Sequence, residues 1–394
     1  MADIIGKGKR FLQRMQRRAI HAWQTMLAKR HYYTLLQSYV FECPNRAEIL
    51  SIRNEPTIYA KQDCGISLHE GGQALVRLTR LHHVACFVYS DLILLNDGRC
   101  IYELKEMDYL HPIANFTDEI LLKDTRNWCK LKKCHKTEHL KSAIKIGGMF
   151  GFNFYHFVFQ ILPKLLETKA IDASVPLLLD YSARDIPSMK QLVDWCNKEQ
   201  RNVIYMEYDV AYQVDELYTI SSPNFCVPNW RSKKMTSDFV QCAYSPESIQ
   251  RLSLEMGSHA SNEKTPEKIF ICRARASNRR KYNEQELLDV AQKVGFEPIY
   301  PEELSIDEQI NVYKNAKVII AANGAALCNL IYCQPKCTLI MLCGSELATS
   351  LFSSLILMRG GKAIELHSNK SKGYQGDFYV APSDLEDKLN KVCK

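Results

Sequence analysis

Arg273, Arg275, Arg279, Arg280 and Lys281 crowd the stretch that follows the apolar run Ile269–Cys272. Guanidinium groups match phosphate oxygens two at a time and do not lose their charge. An arginine at the end of a buried strand therefore points to an anion, with a solvated basic turn as the plainer alternative. A second apolar run, Val318–Ala322, opens into Asn323-Gly324-Ala325-Ala326 and a further apolar stretch. Gly324 permits positive φ and close backbone approach, and the small Ala325 and Ala326 leave helix N–H groups open to a phosphate. A tight strand-to-helix turn needs a glycine in any case. Neither a Gly-x-Gly-x-x-Gly fingerprint nor a Gly-x-x-x-x-Gly-Lys-Ser/Thr loop is present.

A third candidate is His156, in Asn153-Phe154-Tyr155-His156-Phe157. An imidazole with an ordinary pKa can take a proton from a hydroxyl nucleophile near neutrality. A histidine among aromatics also serves as a hydrogen-bonded core residue. Carboxylates of the first half, Asp91 among them, are further candidate bases that spacing alone does not rank. Ser305 with Glu308 fits a capping box, and Asn283 with Glu286 resembles a helix start, so Glu308 has a structural reading beside a functional one.

The elements that must hold these residues alternate. From about 42 to 146 short β-like runs dominate: Ala85–Tyr89, Leu92–Leu95 and Ile101–Leu104, with Asp97-Gly98 as a hairpin turn. Gly147-Gly148 then introduces an aromatic helix over Phe152–Glu167. The pattern continues with strand Val175–Asp180, helix Met189–Lys198, strands Val203–Glu207 and Glu216–Ile220, and helix Pro246–Met256. In the second half, strands are expected at Ile269–Cys272, Pro298–Tyr300, Val318–Ala322, Thr338–Leu342 and Lys362–Leu366. Helices are expected at Glu284–Lys293, Ile306–Asn315, Ala325–Ile331, Ser345–Met358 and Ser383–Val392. Buried Val/Ile/Leu strands alternating with helices argue for a parallel sheet covered on both faces, with ligands at the strands' carboxyl ends.

Composition narrows the function classes. With 394 residues and 46% apolar content, the chain can bury the cores of two domains. Its net charge of +7 equals that of residues 1–41, which hold Lys7, Lys9, Arg10, Arg14, Arg17, Arg18, Lys29 and Arg30 against Asp3 alone. A neutral body with a basic end does not read as a nucleic-acid binder. In that segment Phe11, Leu12, Met15, Ala19, Ala22, Trp23, Met26 and Leu27 share one helical face opposite the basic residues. Such a helix suits an anionic membrane surface through residues 1–33, or docking on the body with its basic face solvated. No apolar run reaches the roughly 20 residues of a membrane span, and none follows the basic residues as in a secretory signal. The fifteen cysteines, without a Cys-x-x-Cys pair, read as reduced thiols. Core packing is the expectation for Cys328, Cys333, Cys337 and Cys343 rather than a metal site.

The order of the pieces resembles glycosyltransferase family 61. Asn153-Phe154-Tyr155-His156-Phe157 with Leu162-Pro163 resembles the family's Asn-Tyr-Tyr-His-Trp…Leu-Pro segment. Cys272-Arg273…Arg279-Arg280…Asn283-Glu284…Glu286-Leu287 resembles its Ser-Arg…Arg-Arg…Asn-Glu-x-Glu-Leu segment, and Ser305…Glu308-Gln309 its Ser…Glu-Gln. Asn323-Gly324-Ala325-Ala326-Leu327…Asn329 resembles His-Gly-Ala-Gly-Leu-x-Asn. Asn323 thus stands where the family usually has His, Ala326 where it has Gly, Phe157 where it has Trp and Cys272 where it has Ser. Asparagine can hydrogen-bond a phosphate or sugar hydroxyl, but it is neither acid nor base near neutral pH.

The resemblance implies an α/β, GT-B-like fold of two Rossmann-like domains facing across a cleft. Residues 1–41 would form the basic helical segment, 42–240 the acceptor-side domain and 241–394 the nucleotide-sugar-binding domain. It implies an inverting glycosyltransferase with no bound metal and no cofactor beyond its donor, a UDP-sugar. Arg273, Arg279, Arg280, Glu308, Gln309, Asn323, Gly324, Ala325, Ala326 and Asn329 would hold the donor, with His156 as base. The acceptor would be a glycan or glycolipid of capsule, lipopolysaccharide or exopolysaccharide synthesis, at the cytoplasmic face of the cell membrane. A polysaccharide pyruvyltransferase-like enzyme and a non-catalytic nucleotide-sugar-binding protein, the latter raised by Asn323, are the alternatives.

Overall fold

The computed structural model describes residues 32–36, 47–62, 66–102, 118–124, 128–226, 242–261, 263–273, 281–344, 350–368, 370–371 and 376–392. In the second half, five strands pair in parallel throughout: Lys268–Ile271, Glu297–Ile299, Val318–Ala322, Thr338–Cys343 and Lys362–His367. Their spatial order, numbered along the chain, is 2-1-3-4-5. Side chains on a strand alternate between faces, and both faces here are apolar. Phe270, Ile320, Ile340 and Leu342 pack with Leu287, Leu288, Leu385 and Leu389 of helices Glu284–Gln292 and Pro382–Val392. Ile269, Ile271, Ile319 and Met341 pack the other way, with Ile310, Leu327, Phe352 and Leu355. This is a doubly wound α/β unit, as the alternating pattern predicts. In the 2-1-3-4-5 order the connections diverge between strands one and three, and the crevice at their carboxyl ends is where such sheets hold ligands.

The first half differs from a second all-parallel domain. Among the described residues its sheet has eleven strands and is mixed. Ala47–Gln62 and Ile66–Cys86 form a long antiparallel hairpin that continues into Leu92–Leu95 and Arg99–Tyr102. Gly98 takes φ 82° in the Asp97-Gly98 turn, as its sequence demands. The flank formed by Lys136–Lys145, Leu177–Asp180, Val203–Met206 and Val210–Ile220 is parallel. Short turns can join antiparallel neighbours only, and in this flank helices such as Pro187–Cys196 lie between the paired strands along the chain.

The halves interlock. Helix Ser350–Met358 lies across both long hairpin strands. Ala60 N donates to Ser354 Oγ (2.7 Å), and Tyr244 Oη donates to the Leu351 carbonyl (2.9 Å). One continuous apolar cluster runs from Leu78 and Ile144 through Tyr155 and Phe159 to Ile271, Ile319 and Met341. At the N-terminus, Tyr32–Leu36 is a strand, parallel to Arg99–Tyr102 and antiparallel to Trp128–Leu131. The helical reading of residues 1–41 therefore fails at 32–36, where alternating pairing wins, and its remainder lies outside the described residues. Among the described residues no helix is long and apolar enough to cross a membrane. Cys328, Cys333, Cys337 and Cys343 are buried thiols outside any disulfide.

Candidate active site

Two of the anticipated loops meet at the divergence of strands one and three. Cys272 N still donates to Ile299 (2.8 Å), extending the first strand to its carboxyl end. There Arg273 N donates to Glu284 Oε2 (2.7 Å), a buried carboxylate at the start of the following helix. The Arg273 guanidinium reaches across to the third strand and donates from Nη1 to the Asn323 carbonyl (2.9 Å). A Cβ on residue 324 would lie 2.7 Å from that Nη1. Gly324 itself is extended, at φ 178° and ψ 169°. The glycine is thus explained by close approach of the guanidinium, not by the positive φ anticipated from the sequence. Asn323 is buried and its N–H pairs with Leu342 (3.1 Å). Ala325–Tyr332 forms a 3₁₀ turn rather than an α-helix, with Leu327 N bonded to Gly324 (2.9 Å).

The other anticipated donor residues stand behind this crevice. Glu308 accepts from Ser305 N (2.7 Å) and Oγ (2.8 Å), the expected capping box of helix Ile306–Asn315. Gln309 accepts from Asn329 Nδ2 (3.0 Å) and donates to Pro301 (2.9 Å), so these two amides clamp the helix to the turn after Gly324. Asn283 occupies the helix start, yet its side chain bonds Val380 and Glu286 rather than capping. Arg279 and Arg280 lie outside the described residues.

From the first half, Phe154–His156 packs against the Ala325–Tyr332 turn, bringing the aromatic helix to the same place. A single π-turn, Phe157–Ile161, follows His156 before the helix resumes at Leu162–Leu165. Pro163 has no N–H to give the Phe159 carbonyl one turn earlier, and Asn224 Nδ2 supplies the missing bond (2.8 Å). The His156 ring stacks on Phe150 (5.1 Å, 29°) and meets the Tyr155 ring edge-on (5.4 Å). Its Nδ1 lies 2.5 Å from Gln160 Oε1, an acceptor only, so Nδ1 donates and Nε2 carries the lone pair. Burial pushes the His156 pKa below its ordinary value, partly offset by Gln160 and the Asp91 carboxylate. The ring is neutral at pH 7.

Asp91 takes a place beside it that spacing does not rank. Its Oδ2 accepts from Met149 N (3.1 Å), and its Oδ1 pairs with the buried Lys164 Nζ (3.6 Å). Asp118 accepts from Ser90 Oγ (2.9 Å) and Asp91 N (3.1 Å), and Asp180 from Tyr89 N (2.7 Å) and Gly148 N (2.9 Å). Burial raises the Asp118 carboxyl to about 7 and the Asp180 carboxyl to about 6. Lys145 Nζ ties the loops together through the carbonyls of Ser90 and Gly147, both at 2.7 Å. These partners come from four separate strand ends, so no sequence window shows them together. Elsewhere, Cys343, Glu365 and His367 offer metal-ligand atoms within 4.8 Å of one another. Glu365 Oε2 already pairs with His367 Nε2 (2.9 Å), and that contact raises the imidazole pKa.

The family model Glycosyltransferase 61 matches residues 154–341, from the His156 helix to the fourth parallel strand. The match supports the resemblance to glycosyltransferase family 61 that the sequence motifs carry. No curated protein matches the chain. The glycosyltransferase 61 region contains both Arg273 and Gly324 as well as His156, whereas Asp91 and Phe150 precede it. The match supports a glycosyltransferase reading for this region, the class of enzyme that moves a sugar from a donor to an acceptor.

Proposed function

We propose that the protein is an inverting glycosyltransferase of GT-B-like arrangement that takes its sugar from a nucleotide donor, a UDP-sugar. The observation that carries this reading is the meeting of the Arg273 guanidinium with the Asn323-Gly324 turn at the strand-one/strand-three crevice. A diphosphate placed there meets a fixed cation where negative charge develops as the nucleotide leaves. Residues 241–394 hold the donor and 42–240 the acceptor. His156 Nε2 takes the proton of the acceptor hydroxyl. The acceptor oxygen then attacks the anomeric carbon from the face opposite the departing diphosphate, and the glycosidic C–O bond to phosphate breaks as the new one forms. The chemistry uses no bound metal.

The acceptor in this reading is a growing surface glycan or glycolipid of capsule, lipopolysaccharide or exopolysaccharide type. Residues 1–31 then hold the enzyme at the inner face of the membrane. A thermal-shift panel of nucleotide sugars, followed by NMR of the product's anomeric configuration, tests the proposal. Selective stabilisation by one donor and an inverted product support it. Stabilisation by none, or a retained configuration, contradicts it. Asn323, in the position usually held by histidine, favours one second reading, a nucleotide-sugar-binding protein without turnover. That reading predicts donor binding without transfer or donor hydrolysis.

A further inference from the structure

Five aromatic rings gather beside His156 on segments that follow four strands of the first sheet. Tyr89 is the hub. Its ring lies edge-on to Phe152 (5.2 Å), Tyr181 (5.2 Å) and Tyr208 (5.7 Å), while Tyr181 and Tyr208 are 5.3 Å apart. Phe152 touches Phe150 (5.8 Å), and Phe150 stacks on His156, so the array is continuous with the candidate base. Tyr89 is 2% exposed, yet Phe152 and Tyr208 at the rim are 48% and 49% exposed. A soluble fold gains nothing by leaving two neighbouring aromatic rings half in water.

The array is also built to stay in place. Tyr89, Phe150 and Asp209 all take left-handed backbone conformations, at φ 49°, 60° and 64°. Residues other than glycine hold such conformations at a cost, and they concentrate at functional sites. The buried Asp180 carboxylate fixes the Tyr89 and Gly148 amides, and Tyr212 Oη anchors Glu207 N (2.9 Å) just before Tyr208. The Tyr181 ring packs against both the Tyr89 and the Tyr208 ring. Flat apolar faces therefore carry phenol hydroxyls at their edges, and the Asp91–Lys164 pair adds polar groups to the same half.

We propose that Phe152 and Tyr208, backed by Tyr89, Phe150 and Tyr181, form the acceptor subsite and bind a pyranose ring of the acceptor glycan. A pyranose presents C–H faces to aromatic rings and a rim of hydroxyls to polar groups, which is the chemistry this surface offers. Its place next to His156 puts the following sugar's hydroxyl at the base. The assignment of the role rests on the glycosyltransferase reading above; the binding itself does not.

The test is saturation-transfer NMR on the full chain with a panel of methyl pyranosides and short oligosaccharides. The variants are F152A, Y208A, their double and, as a control on a distant exposed apolar residue, L254A. Sugar C–H protons should be saturated by the wild type and by L254A, at least fivefold less by the double variant, and again by F152W. No saturation by the wild type, or equal saturation by all variants, overturns the proposal. Calorimetry with UDP on the same samples separates the two claims. UDP binding, with sugar saturation equal in every variant, removes the platform alone. Sugar saturation that disappears in the double variant, with no UDP binding, removes the nucleotide-sugar reading alone.

Discussion

At the scale of single residues, the proposed mechanism gives charge to Arg273 and the proton to His156. Arg273→Ala should weaken UDP binding by about 1.5–3 kcal/mol, the usual worth of a charged hydrogen bond. Lysine should restore only part of it, because an ammonium cannot span two oxygens as a guanidinium fork does. Isothermal titration with an unchanged affinity in the folded alanine variant would remove Arg273 from the site. For His156, the direction of its pKa sets the pH dependence. Burial lowers it, so the acid limb of kcat/KM should fall below pH ~6.5, the ordinary imidazole value. The same sign governs folding: stability from this group is present above about pH 6.5 and declines as pH falls towards the folded pKa. His156→Ala should lower turnover by roughly 10²–10⁴-fold and abolish that limb. A limb that persists in the variant would hand the base to Asp91. Residue types flag Arg273, Gly324 and His156 in the sequence. Glu284, Lys145 and Asp180 carry no such signal, because each acts through partners distant along the chain.

At the scale of elements, periodicity and caps locate most of the second half. Ile306–Asn315 begins and ends where Ser305 and its capping box place it, and Val318–Ala322 is a fully buried strand. The long hairpin Ala47–Gln62/Ile66–Cys86 has no comparable signature, since the outer part of its strands is largely exposed and polar, interrupted by Pro56 and Gly71-Gly72. The strand Tyr32–Leu36 merges into the preceding helical pattern for the same lack of a local boundary signal. The aromatic helix is legible, but not its π-turn, which depends on Asn224 replacing the bond that Pro163 cannot make. Asn224 also donates to Ser248 Oγ (3.2 Å) and accepts from Ser245 N (3.0 Å). Asn224→Ala strands buried polar groups on two segments and should cost about 1–3 kcal/mol. Denaturant unfolding checks this, and a midpoint equal to wild type would show that the Phe159 carbonyl finds another partner.

At the scale of the whole molecule, the parallel sheet's strand order places the candidate crevice, and the first half brings the aromatic helix to the turn beside it. Tyr32–Leu36 belongs to the sheet, so a truncation that spares the described fold ends at residue 31. Deleting residues 1–31 should leave the thermal transition in place and weaken binding to anionic vesicles, since the chain's net charge resides there. Equal vesicle binding by both forms would end the membrane reading. The central claim is that the Arg273 guanidinium lying on the Asn323-Gly324 turn is the diphosphate contact. A double-mutant cycle on UDP affinity, measured by calorimetry with Arg273→Ala, Gly324→Ala and the double variant, tests it most directly. A methyl at residue 324 displaces the same guanidinium that the alanine at 273 removes. Each single change should therefore weaken UDP binding about tenfold or more, equivalent to ~1.4 kcal/mol, and the double should bind no worse than the weaker single. Wild-type affinity in both singles, or losses that simply add, would contradict the account.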